Sequence, residues 1–347
     1  MEFLRDGQSE PLAGVFTTGE ARAAGVRADR LPGIGAAIRL TRGVYADFAS
    51  APLSAITVGI PGGELAASQV SFGSEPSAGD AEHPGATWCR NQVEWARLLS
   101  RKLPDGVFYS HHTAAALWGI PVVPRANDRL DIGVYGRSHG SRKDAFRSHR
   151  FAPDSVRVVS LGGAPVTDPA STWVTLAARL PRQAAVALGD AVLYAPRYPG
   201  TARLKRLPLA RPEEIHRLVT WPRRPARRIL TDLAAQLSHQ AASPPETHLR
   251  LMLSEWGLPA PKLDFDVCDE RGRLLGCSEL AFAESRLALE YEGDHHRIDT
   301  RQWNRDIEKY RAYAENGWEV LRVTAQLLYR EQSTLRAQVE EALARRS

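Results

Sequence analysis

The pattern that most restricts this chain lies in its last hundred residues, where helical and strand-like runs follow one another with clear punctuation. Pro245 and Glu246 open the helix ETHLRLMLSEW, and Gly257 supplies the residue that ends it. The runs LDFDV, RLLGCSELAF and RLALEYEG then read as three strands of a meander, separated by a turn at residues 270–272 and another at 284–285. A helix over about residues 302–316, the short strand WEVLRV after Gly317 and a closing helix ending near Arg345 complete the order α-β-β-β-α-β-α. This predicts one α/β domain over residues 241–347, with a mixed, mainly antiparallel sheet.

Alternation along such strands decides which side chains share a face, so Glu290 and Glu292 point the same way. If the hairpin turns symmetrically about Glu284 and Ser285, paired residue numbers add to 569 and Glu279 falls opposite Glu290. Directly opposed Cβ atoms lie about 5 Å apart. A like-charge pair at that spacing is destabilising unless a cation or a proton neutralises it. One reading is a set of acids on a solvated strand face. The other is a site for a hard divalent ion, Mg²⁺ or Mn²⁺, with Glu279, Glu290 and Glu292 as oxygen ligands. In LALEYEG, Leu287 and Leu289 alternate with Ala288 and Glu290, which puts Glu290 on the alanine face of a core strand and favours the metal. Just after the strand end, His295 reads as a loop histidine and His296 as a group aimed at a reacting centre.

The charge of the chain is uneven. In 347 residues, 45 Lys and Arg against 40 Asp and Glu give a net +5, too small by itself to indicate a nucleic-acid partner. Residues 201–230, however, carry nine bases (Arg203, Lys205, Arg206, Arg211, Arg217, Arg223, Arg224, Arg227 and Arg228) against Glu213 and Glu214, a local +7. Residues 264–294 carry nine acids against three arginines, a local −6. A basic block therefore precedes the acidic one, and it is expected to contact a DNA backbone without reading sequence, chiefly through Arg203, Lys205, Arg206, Arg223, Arg224, Arg227 and Arg228. A solvated interdomain helix is the plainer account of the same charges.

Before that block the organisation is less marked. Residues 1–60 suggest a small winged-helix-like domain: Thr17 and Glu20 have capping-box spacing, and AIRLTRGVYADF reads as a hairpin bent at Gly43. Residues 61–87, rich in Gly, Ser, Ala and Pro, read as a flexible linker. Residues 88–199 form a middle α/β domain in which Ser110 precedes the helix HHTAAALW, LDIGVY and VRVVSL are strands, and Asp168 with Pro169 opens a further helix. This domain is assigned a structural or protein-partner-binding role. Residues 200–240 are a basic helical connector. The longest uncharged stretch, 107–124, contains two prolines, a glycine and two histidines, so no membrane span is expected. The N-terminus lacks an apolar core for a signal peptide, and the three cysteines form no disulfide framework, so a cytoplasmic location is expected.

The pieces PETHLR, SELAF, LALEYEGDHHR, RDIEKYR and GWEVLRVT together resemble the very-short-patch-repair-endonuclease-like branch of the PD-(D/E)xK nuclease superfamily, over about the last 100 residues. The earlier RGVY, FYSHHTAAALWGIP and TDPASTWVTLAARL more loosely resemble AbiEi-type antitoxin winged-helix regions of actinobacterial proteins. The first resemblance implies a restriction-endonuclease-like core and Mg-dependent hydrolysis of DNA phosphodiesters, in repair or defence. It also implies roles: Glu246 as the first-helix carboxylate, Glu279 as the central strand acid, Glu290 and Glu292 on the next strand, and His296 as the active-site histidine, with Lys309 or Arg297 as alternative cationic partners. Members usually carry Asp where this chain has Glu279 and Glu292, and Glu292 stands where the superfamily's E-x-K has lysine. Each added methylene displaces a carboxylate by more than about 1 Å, enough to slow a reaction that depends on positioning. The competing expectation is an antitoxin-like or regulatory DNA- or protein-binding protein with a degenerate nuclease fold.

Overall fold

The computed structural model describes residues 14–17, 23, 37–41, 44–47, 84–100, 103–125, 129–136, 145–293 and 300–346. They fall into two compact units, with the division of the later chain between Asp168 and Pro169. That boundary runs through the stretch expected as one middle domain.

In the first unit, β1 (Gly14–Thr17), β2 (Ala37–Thr41) and β3 (Val44–Asp47) form an antiparallel sheet in the order β1-β3-β2. The hairpin read from AIRLTRGVYADF is present as β2 and β3. The helix expected between Thr17 and Gly25 lies outside the described residues apart from Ala23. Helix α1 (Pro84–Ser100) takes in the last four residues of the expected linker, because Pro84 carries a φ pre-set for a first helical turn. Residues 61–83 lie outside the described set.

A five-stranded mixed sheet follows, in the order β6-β5-β4-β8-β7, from β4 (Val107–Tyr109), β5 (Leu130–Tyr135), β6 (Phe146–Phe151), β7 (Val158–Leu161) and β8 (Ala164–Thr167). Helix α2 (His111–Leu117) starts after Ser110 as expected, although the Ser110 hydroxyl meets the His111 ring instead of capping the helix. Gly119 follows at a φ of 65°, a conformation that glycine adopts without steric cost. The core joins Ala96 and Leu99 of α1 to Tyr109, Leu130, Ile132 and Val166.

The second unit begins with α3 (Pro169–Leu176), whose N1 proline was expected, and α4 (Arg182–Leu193). The basic stretch contributes α5 (Pro212–Val219) and α6 (Arg227–Ala234). Then come α7 (Pro244–Glu255), β9 (Lys262–Cys268), β10 (Leu274–Phe282), β11 (Leu287–Glu292), α8 (Thr300–Glu315), β12 (Glu319–Thr324), α9 (Ala325–Tyr329) and α10 (Gln332–Ala344). The expected order holds, except that two helices close it where one was expected.

The sheet runs β12-β11-β10-β9, antiparallel except for the parallel β11–β12 pair. A parallel pair requires a long crossover, and α8 provides it. Leu249, Met252 and Leu253 of α7, with Leu328, Leu335 and Val339, pack on Leu263, Leu280, Leu287 and Leu289. A second layer joins Tyr313 and Trp318 to Val267, Ala281 and Ala288. The two layers separate Leu287 and Leu289 from Ala288, as strand alternation requires. Among the described residues no helix is long and apolar enough to cross a membrane, and all three cysteines are free thiols.

Candidate active site

The first acid is fixed by a helix cap. Ser243 precedes α7, its hydroxyl accepts the Glu246 N–H, and Pro244 and Pro245 fill the first helical positions. Glu246 reciprocates: its carboxylate accepts the Ala242 N–H at 2.9 Å and the Ser243 hydroxyl at 2.8 Å. The cap is thus reciprocal, although the carboxylate takes the Ala242 N–H and the Ser243 hydroxyl in place of the Ser243 N–H of a capping box. The cap buries Glu246, which is only 4% exposed.

The second acid occupies a break in the sheet. The pairs 282/287, 281/288 and 280/289 follow the predicted register, their numbers adding to 569, and pairing of β10 with β11 ends there. On its other side β10 pairs with β9 at 278/265 and 280/263, skipping 279/264, and Asp264 has a φ of 46°. Glu279 therefore lies where both ladders lapse, and its carboxylate accepts the Tyr291 N–H at 2.7 Å. The backbone pairing expected to set Glu279 directly against Glu290 stops one residue short of them.

Glu290 is 5% exposed. Its Oε1 lies 3.0 Å from Nζ of Lys309, on α8, which also donates to the Cys277 carbonyl at 3.0 Å. The Lys309 ammonium is thus the cation that faces this buried oxygen. Lys309 on the crossover helix is one of the two cations expected from the sequence.

These acids perturb one another. Burial pushes the Glu246 carboxyl up to about 7; the hydrogen bonds from Ala242 and Ser243 oppose the rise, and the charges of Glu290 and Asp264 add to it. Burial, followed by the charges of Glu246 and Glu290, holds Glu279 well above the usual carboxylate range. Burial raises Glu290 as well, against the opposing pull of Lys309 and the Ser278 hydroxyl. Three carboxylates from α7, β10 and β11 are electrostatically joined.

The remaining expected residues are placed differently. Glu292 is bound to the guanidinium of Arg322 on β12. His295, His296 and Arg297 lie outside the described residues. Among the described residues, no group of three or more His, Cys, Asp and Glu is arranged to hold a metal ion. The basic block divides in two. Arg203, Lys205 and Arg206 lie in the loop before α5, whereas Arg223, Arg224, Arg227 and Arg228 lie between α5 and the start of α6. Arg224 is partly buried and donates to the Leu218 carbonyl at 2.8 Å beside the Trp221 ring, which gives it a structural duty.

One cluster in the first unit was missed from the sequence. The Asp131 side chain, 2% exposed on β5, accepts from Arg125 at 3.2 Å, from His149 at 2.7 Å and from the His112 N–H at 3.3 Å. The ring of His111, a residue held at a φ of 49°, stacks on that of His149 at 3.7 Å. Burial, with the Arg125 charge, lowers His112 to about 4. The available signal was the acid inside the apolar run LDIGVY, because a buried carboxylate requires partners.

No protein-family model matches the chain. It is similar to two Mycobacterium tuberculosis proteins, "Uncharacterized protein MT2308" of strain CDC 1551 / Oshkosh and "Uncharacterized protein Rv2248" of strain ATCC 25618 / H37Rv. Each is 28% identical over 257 residues, which is 72% of this chain and 88% of the relative. A match of that length is longer than either unit and therefore reaches into both.

Proposed function

We propose that the second unit is a divalent-metal-dependent hydrolase of DNA phosphodiesters, in keeping with its resemblance to the very-short-patch-repair-like endonucleases. The observation that carries the reading is the buried group Glu246, Glu279 and Glu290, three carboxylates set against the ammonium of Lys309. Such a group is stable only with bound protons or an added cation.

The donor set fits Mg²⁺ or Mn²⁺. It is all oxygen, and Mg²⁺ commonly takes one or two carboxylates and keeps its waters, so a complete protein cage is not needed. Glu290 and Glu279 would hold the ion, and Glu292 is paired with Arg322. When bound, the ion polarises the phosphate and acidifies the attacking water. Glu246, titrating near neutrality, is suited to exchange a proton with that water. Lys309 restrains the charge on Glu290 and offers a cation to a phosphate oxygen.

The test is incubation of plasmid and oligonucleotide DNA with Mg²⁺ or Mn²⁺, comparing the intact chain with Glu290→Ala. Cleavage that needs the metal and vanishes in the variant supports the reading, and equal cleavage by both proteins refutes it.

A second reading, a regulatory or antitoxin-like DNA-binding protein on a degenerate nuclease fold, is favoured by the structural employment of two acids, Glu279 on the Tyr291 N–H and Glu292 on Arg322. The double change Glu279→Asp and Glu292→Asp separates the two. It raises metal-dependent cleavage if the glutamates are overlong ligands, and it produces none in a binding module.

A further inference from the structure

We infer that the loop between α4 and α5 is a track for a single strand of nucleic acid leading to the Glu246–Glu279–Glu290 group, an inference that rests on the hydrolase reading and specifies its substrate. Residues 196–207, PRYPGTARLKRL, contain four bases and no acid. Arg197 is spent on anchorage: it pairs with Asp264 at 2.7 Å and with Asp266 at 2.5 Å, and the Gly200 N–H adds a bond to Asp266 at 2.9 Å. The loop is thereby stapled to β9, and the two β9 acids that would repel a phosphate chain are paired. Arg203, Lys205 and Arg206 remain to meet phosphates.

The apolar residues of the same loop are what distinguish a single strand from a duplex. Tyr198 is 43%, Leu204 40% and Leu207 74% exposed, an unusual amount of apolar surface to leave beside three cations. The Arg203 guanidinium lies 4.7 Å from the Tyr198 ring centre and the Lys205 ammonium 5.8 Å. A guanidinium plane laid over an aromatic ring is a surface on which an unstacked base can rest. A duplex presents phosphates and base edges there, for which the two leucines have no use, whereas the splayed bases of a single strand cover them and the Tyr198 ring.

The track also has a direction. Arg206 lies 5.7 Å from the Tyr194 ring centre, and Arg197 reaches from the loop to the Cys277 Sγ at 3.6 Å. The Cys277 carbonyl accepts from Lys309, which pairs with Glu290, so the basic loop and the acid group adjoin within the second unit.

The experiment is fluorescence anisotropy of the full chain with a labelled single-stranded oligonucleotide and the corresponding duplex, in EDTA so that no cleavage intervenes. The expected result is tighter binding of the single strand, a loss of about tenfold for that ligand in Tyr198→Ala, and retention in Tyr198→Phe, which keeps the ring. Arg203→Ala with Lys205→Ala should weaken both ligands and flatten the salt dependence. Thermal melting shows whether each variant is folded. Duplex bound as tightly as the single strand, or unchanged single-strand affinity in folded Tyr198→Ala, overturns the proposal. Because binding is read without metal, a failure to cleave leaves this result standing, and a failure of the track leaves the metal-site assay unaffected.

Discussion

Replacing Glu246 by Gln removes one charge from the buried group while keeping the size of the side chain and an acceptor for the helix cap. A glutamate raised from its ordinary range to about 7 binds its proton more tightly in the folded state than in the unfolded one. The stability this contributes is complete below the unfolded value and is lost as pH rises through the folded one. At about 1.4 kcal/mol per pH unit, the full loss is roughly 3 kcal/mol, most of it between pH 5 and pH 8. Urea unfolding at these two pH values, followed by Trp fluorescence, should show the unmodified protein losing stability over the interval. In Glu246→Gln the loss should shrink by about that amount, and by more if Glu279 and Glu290 relax toward ordinary titration once their neighbour is neutral. For a unit of this size the change corresponds to roughly 5 to 10 °C in melting temperature. An identical pH dependence in the two proteins would show that Glu246 titrates normally and that burial does not join the three acids.

Lys309→Met should cost roughly 1–3 kcal/mol above neutral pH by leaving Glu290 without its cation, and should move the acidic limb of any metal-dependent cleavage profile to higher pH. Replacing Arg223, Arg227 and Arg228 by Ala, with Arg224 retained for its bond to the Leu218 carbonyl, should reduce the salt slope of DNA binding by about 0.9 for each lost phosphate contact, and an unchanged slope would return these residues to the role of a solvated surface. Asp131→Asn should destabilise the first unit by about 3–5 kcal/mol, since Arg125 and His149 lose the carboxylate they share, and a melting temperature within error of the parent would contradict the account of that cluster.

The sequence made the sheet of the second unit legible because its signals are local. Alternation in LALEYEG separated Leu287 and Leu289 from Ala288, and a turn centred on residues 284–285 set the register of β10 and β11. The lapse of pairing around Glu279 was not legible, because it depends on the left-handed backbone at Asp264, and an aspartate in a strand run gives no local sign of that. Glu292 was read onto the face of Glu290. Its capture by Arg322 depends on β12, which pairs with β11 only after the α8 crossover. Lys309 illustrates the converse. Sequence distance hid a contact that the crossover creates between a helix residue and a strand 19 positions earlier. In the first unit, Asp131 draws its partners from β6, from the start of α2 and from the segment before β5, a convergence that no spacing within one segment records.

The central claim is that Glu246, Glu279 and Glu290 hold their surplus charge with protons that a divalent cation can replace. Calorimetric titration of the full chain with Mn²⁺ near pH 7, in two buffers of different ionisation enthalpy, measures the ion bound and the protons displaced together. The account predicts saturable binding accompanied by release of about one proton in the unmodified protein, with both signals lost in Glu290→Gln. Absence of saturable binding, or the same binding and proton release in the variant, would contradict it.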